Sequence, residues 1–434
     1  MKLYTTTSFL ALAMTAGLSV SAAAQDGAPE DQVVSVYERS RPDYSAPGAR
    51  TGSFLFYPTI STSVKYDSNI YASRAGATAQ IAGEIDDFIF QVKPGFNLTS
   101  DWNQNFFSLY ADADIAKYGD NTGEDYEDFN FGFNGRMDVS RGTSIDIGAS
   151  YSDLHEDRGS PNNIGRAAAP TLYDVFRANV GFTRDLSLVS LSVGGNYENY
   201  NYDNADLVGG GIFNNDIRDY EKLTGSVRLG YEVDQYYETF IRLTANATNY
   251  DDSQATGGPQ RNSDGWEAVV GTAFDITGTS QGEIFVGYIE QNYDSNSLAN
   301  VGNFTFGASM LWNPTGLTSV RAGVNRAVQE TIVAEVVNGF VTPAAGILST
   351  TFSLDVEHEL QRNVLLKGTA RYSKGEFVNT NRDDDTFNAS LGTSYLLNRN
   401  FSVDATYTFD ARNTTQAGQD FKRHMFMVGL KAQW

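Results

Sequence analysis

The sequence predicts an all-β chain, a transmembrane antiparallel β-barrel of about 18 strands with 16 or 20 also open and both termini in the periplasm. Three observations carry that reading. Apolar residues recur at every second position through most of the chain. The connections between these segments alternate between short and long. No segment after the first 24 residues is apolar for long enough to cross a bilayer as a helix. Lipid offers no partner to backbone N–H and C=O groups, so a spanning β-structure must close on itself, with one face to lipid and the other to water.

The start of the chain reads as an export signal. Met1-Lys2 is basic, Phe9 to Val20 is mostly apolar, and Ala22-Ala23-Ala24 supplies the small residues of a cleavage site before Gln25. Residues 1–24 are therefore expected to be a signal peptide. The chain has no Cys, so neither a disulfide nor a lipid-anchored cysteine is available.

Alternation then places strands near 53–66, 86–100, 104–118, 126–140, 142–155, 172–185, 187–202, 218–233 and 236–250. A second group follows near 263–277, 280–293, 302–313, 317–331, 348–361, 363–375, 384–397, 400–413 and 421–434. The even-to-odd links, such as Arg141, Leu186, Arg362 and Arg399, are tight, and odd-to-even links such as 67–85, 156–171, 203–217 and 332–347 are long. That parity is expected of short periplasmic turns and long outer loops. The last strand alternates Phe426, Val428, Leu430, Ala432 and Trp434 against Lys431 and Gln433. Phe426 and Trp434 there suit a C-terminal signal for the outer-membrane assembly machinery. Trp102, Trp312 and Trp434 fall at strand ends, where indole rings favour the membrane interface.

The face opposite the apolar rows carries both charge signs. A Lys or Arg facing lipid at mid-membrane costs about 2–4 kcal/mol. Lys65, Asp112, Asp114, Arg136, Asp146, Arg177, Arg228, Arg242, Arg321, Asp355, Glu357, Lys367, Arg371 and Asp404 are therefore expected to line the lumen. Some should pair across neighbouring strands and others border water. Tyr57 and Tyr110 add inward aromatic faces. A barrel of this size is wide enough for an aqueous channel. Porins narrow theirs with an inward-folded loop, for which 156–171 and 203–217 are the candidates.

The net charge is −22, with acidic runs at Asp120, Glu124, Asp125, Glu127 and Asp128 and at Asp383 to Asp385. These read chiefly as solvated loops, with divalent-ion bridging to lipopolysaccharide as the alternative. No basic patch is present to meet nucleic acid. The three His residues, His155, His358 and His424, sit on different strands, and no Ser/His/Asp set stands out. No enzyme, cofactor or metal site is expected. Residues 25–52 form an acidic, then mixed-charge lead-in that is too short for a plug domain. It is either a disordered periplasmic tail or a segment at the pore mouth, where Glu38, Arg39, Arg41, Asp43 and Arg50 would meet the barrel or a partner. Residues 53–434 form the barrel.

The residues leading into the first strand resemble a known family. Tyr37-Glu38-Arg39-Ser40-Arg41-Pro42-Asp43-Tyr44, then Gly48, Gly52-Ser53-Phe54-Leu55-Phe56-Tyr57-Pro58 and Asn69, are similar to the entrance motif of β-barrel porin 2 proteins. The resemblance implies an outer-membrane barrel of a Gram-negative bacterium, lying among lipid and lipopolysaccharide. It further implies association with exopolysaccharide or capsule secretion, with a periplasmic polysaccharide export protein as partner. Three functional expectations follow: a conduit for polysaccharide export, a general or solute-selective diffusion porin, and a structural or adhesive surface barrel.

Overall fold

A period-two sequence with one lipid face has one stable solution, a closed sheet, and the computed structural model has that form. It describes residues 33–74, 83–251, 259–276, 279–337 and 340–434. The expected signal peptide and the start of the lead-in, residues 25–32, lie outside the described residues.

The wall is a closed ring of 18 antiparallel strands. The first nine are β1 Phe54–Asp67, β2 Asp87–Ser100, β3 Phe106–Tyr118, β4 Tyr126–Ser140, β5 Thr143–His155, β6 Leu172–Asp185, β7 Val189–Tyr202, β8 Tyr220–Glu232 and β9 Tyr237–Tyr250. The second nine are β10 Ser263–Ile276, β11 Ser280–Tyr293, β12 Val301–Thr315, β13 Thr318–Gln329, β14 Ile347–Gln361, β15 Val364–Phe377, β16 Asp383–Leu396, β17 Phe401–Thr414 and β18 Phe421–Gln433. Every expected strand is present, and the count of 18 replaces the open alternatives of 16 and 20. The ring closes where β1 pairs with β18, from Thr59 opposite Gln433 to Asp67 opposite Met425. A three-residue strand, Ala49–Thr51, folds back on Phe54–Phe56 below that seam.

The register fixes which side chains face lipid. Ile145 lies opposite Phe182, Ile147 opposite Val180 and Tyr151 opposite Phe176, so one row per strand is apolar. Residues of this row, including Val64, Phe90, Phe131, Val286, Leu391 and Val428, are exposed on the isolated chain, as a lipid-facing surface must be. Trp102, Trp312 and Trp434 are exposed at the rim that carries the short turns. Arg141-Gly142 shows how those turns are made. Gly142 has φ of 71°, the left-handed conformation that a two-residue hairpin needs and glycine supplies without strain.

Two members of the acidic runs depart from expectation. Glu124 and Asp384 are buried, not solvated. Each accepts two hydrogen bonds from an arginine, Glu124 from Arg158 at 2.8 and 2.7 Å, and Asp384 from Arg382 at 2.8 and 2.6 Å. Arg382 stands two residues before Asp384 in the chain, whereas Arg158 reaches Glu124 from a different loop, a pairing decided only when the rim assembles. Among the described residues no group of acidic or histidine side chains is arranged to hold a metal ion.

The lumen and its two mouths

The inner wall is built from glycine, aromatic rings and charge in layers. Gly271 and Gly307 present bare backbone where a Cβ would strike the rings of Phe240 and Phe285. The rings therefore lie flat on the neighbouring strand. Arg228 sits 4.0 Å from the Phe240 ring centroid and Arg242 sits 4.6 Å from that of Phe285. Glu238 binds Arg228 at 2.8 Å, while Glu267 and Glu283 lie 3.7 and 3.6 Å from Arg242. Charge is thus held against the wall of β8–β11.

The charged positions expected inside alternate in register with the exposed apolar row. They differ in what they touch. Asp114 pairs with Lys93 at 2.7 Å, Arg177 with Glu198 at 3.4 Å, and Arg136 with Asp138 at 3.1 Å and Asp146 at 3.9 Å. Asp112 accepts a hydrogen bond from Asn130 at 3.1 Å and Asp404 one from Ser394 at 2.5 Å. Lys367 lies 3.9 Å from Glu357. Lys65, Asp355 and Arg371 face the lumen without an ion pair among the described residues. Tyr110 lies over Gly132, again a ring laid on bare backbone. Nearer the long loops, an arc of inward tyrosines that the sequence reading missed runs from Tyr173 through Tyr202, Tyr200 and Tyr220 to Tyr250. Its signal was present as aromatic residues ending successive strands on the polar face.

At the long-loop mouth, residues 156–171 fold inward. Arg218 donates to Glu156 at 2.7 and 3.0 Å with both side chains buried, and its guanidinium lies 3.9 Å from the Tyr202 ring centroid. The loop then reaches the wall at β17 and β18. Arg423 meets Asp157 at 3.2 Å and Asp410 at 2.9 Å, and Arg412 donates to the Gly159 carbonyl at 3.1 Å. Farther round, Thr331 donates to Asn162 at 2.7 Å from the loop after β13. Since β5 and β13 are on opposite sides of the ring, the loop crosses the mouth. Residues 203–219 brace it, with Ala168 N–H on the Asp206 carbonyl at 2.8 Å and Val208 N–H on that of Arg166 at 2.9 Å. The histidine beside it is committed to structure: His155 stacks on Tyr126 at 3.7 Å and bonds Asp128 at 2.8 Å.

Burial would raise the Asp157 carboxyl, but Arg423, the Gly159 N–H and His155 outweigh it and hold the group down at about 2. A depressed carboxyl stabilises its contact above the unfolded value near 4 and loses that contribution as pH falls through the folded value. The loop-to-wall clamp should therefore be insensitive to pH from neutrality to about 4 and release between about 4 and 2. Channel current recorded across that range checks it.

At the short-turn mouth, the described part of the lead-in is not a tail. Val36 N–H donates to Ser319 Oγ at 2.9 Å, Tyr37 N–H to Glu357 at 3.0 Å, and Asn313 to the Val34 carbonyl at 3.1 Å. Arg41 binds Glu359 at 3.0 Å, Glu38 meets Arg321 at 3.3 Å, and Arg39 donates to the Gly316 carbonyl. Gln433 donates to the Tyr44 carbonyl at 3.3 Å. Asp43 is exposed in the following turn, and Arg50 pairs outside with Asp101 at 2.6 Å. Each such hydrogen bond is worth about 0.5–1.5 kcal/mol net. Val33 and Val36 are buried, each worth roughly 1.5–3 kcal/mol when fully covered. Gly48 turns the segment toward the wall at φ of 70°, where a Cβ would strike the Tyr57 ring.

Among solved structures the chain is similar to OpdO of Pseudomonas aeruginosa, at 13% identity over 87% of this chain and 98% of that one, with a TM-score of 0.43. It is similar to the copper transporter OprC, at 11% identity over 89% and 81%, TM-score 0.47. A third is the siderophore receptor PirA of Pseudomonas aeruginosa, at 9% identity over 87% and 80%, TM-score 0.42. No curated protein matches. The model of one family, beta-barrel porin 2, matches residues 41–434. The whole closed wall and the second half of the docked lead-in fall within that match, and the chain belongs to the beta-barrel porin 2 family of outer-membrane barrels.

Proposed function

We propose that this outer-membrane channel is a narrow diffusion pore for small hydrophilic solutes, with its short turns and both chain ends on the periplasmic side. The observation that carries the reading is the 156–171 loop, tied to the wall at β17 and β18 and to the loop after β13 on the far side of the mouth. A water-lined lumen of both charge signs suits polar solutes, and a fixed crossing loop sets an upper size. Polysaccharide export, which the family resemblance implied, gains no support from this geometry, because a polymer would have to displace the crossing loop and the docked lead-in together. Liposomes carrying the purified protein, swollen in neutral sugars of increasing size, test the proposal. Uptake of monosaccharides with a cut-off among oligosaccharides is expected, whereas equal uptake of long oligosaccharides would restore the export reading.

A further inference from the structure

We infer that residues 33–48 form a releasable strap that closes the short-turn mouth when docked and opens it when it leaves. The inference rests on the channel reading for its electrical consequence, but its structural part stands apart from it. The strap's partners come from β12, β13, β14 and β18: Asn313, Ser319, Glu357, Glu359 and Gln433. The Tyr37 ring lies beside Lys367 of β15. The contacts thus run along the inner face from β12 round to β18, so the strap lies across a wide arc of the mouth.

One feature separates it from a permanent part of the wall: it pairs with no strand of the ring along 33–48, and its bonds are single polar contacts that lumen water can replace. The latch is also ionic, with Arg41 on Glu359 and Glu38 on Arg321, and salt weakens the exposed second pair.

The absence of cysteine from the chain makes the test clean. Val36→Cys with Ser319→Cys, in full-length protein in planar bilayers, allows the strap to be locked by oxidation and freed by reduction. The strap predicts a severalfold fall in open-state current on oxidation, reversed by reductant, and a severalfold rise in a chain lacking 33–48. Equal currents from the oxidised and reduced pair would overturn it, even if the deleted chain fails to fold. A second readout does not need current. Val36→Cys, buried when docked, should react with an impermeant thiol reagent in the folded barrel, faster at high salt, with Thr51→Cys as the exposed reference. Silence of all proteins in bilayers would sink the channel reading, and the labelling would then decide the strap alone. Absence of labelling at Val36→Cys while Thr51→Cys reacts would overturn it.

Discussion

Replacing Glu156 with alanine is expected to loosen the long-loop mouth more than any other single change there. The substitution leaves Arg218 buried without its carboxylate, and breaking a buried pair by removing one partner costs about 3–5 kcal/mol. Arg218 is held between Glu156 and the Tyr202 ring, so the loss is felt in both 156–171 and 203–219. Hydrogen exchange should quicken in those two loops and hardly change in β10–β16. Removing Arg218 as well should recover much of the loss, because the uncompensated charge is then gone. If the single and double variants exchange alike, the pair does not hold the mouth.

The second large effect is on the wall. Leu391 is 69% exposed and faces lipid near the middle of β16, whereas its neighbour Ser390 faces the lumen and bonds Thr369 at 3.1 Å. Leu391→Arg should destabilise the inserted barrel by about 2–4 kcal/mol, and Ser390→Arg should be tolerated because its head group meets water. Urea unfolding from lipid vesicles measures both. Equal costs would mean that the faces are misassigned.

These two experiments address parts of the molecule that differed in how far they could be read in advance. The strands were legible because the bilayer imposes a strict rule on each one alone: Ile145, Ile147 and Tyr151 must alternate with Asp146, Gly148 and Ser150 whatever the rest of the chain does. The parity of turn lengths added the closure and the even count. The mouths obey no local rule. Arg41 meets Glu359 across 318 residues and Arg423 meets Asp157 across 266, and nothing around either residue marks the other. The lead-in's charged residues could be picked out, but whether they were docked depended on Ser319 and Glu357 facing inward at the right height. The tyrosine arc was missed for a similar reason: each ring is unremarkable on its own strand, and only the register sets them side by side.

The crossing loop carries the functional account, and single-channel recording tests it most directly. Purified full-length protein should give small, discrete ion-conducting steps, and Arg423→Ala, which frees Asp157 and the loop from β18, should give larger ones. Steps of the same size from both proteins, or no steps from either, would contradict the account.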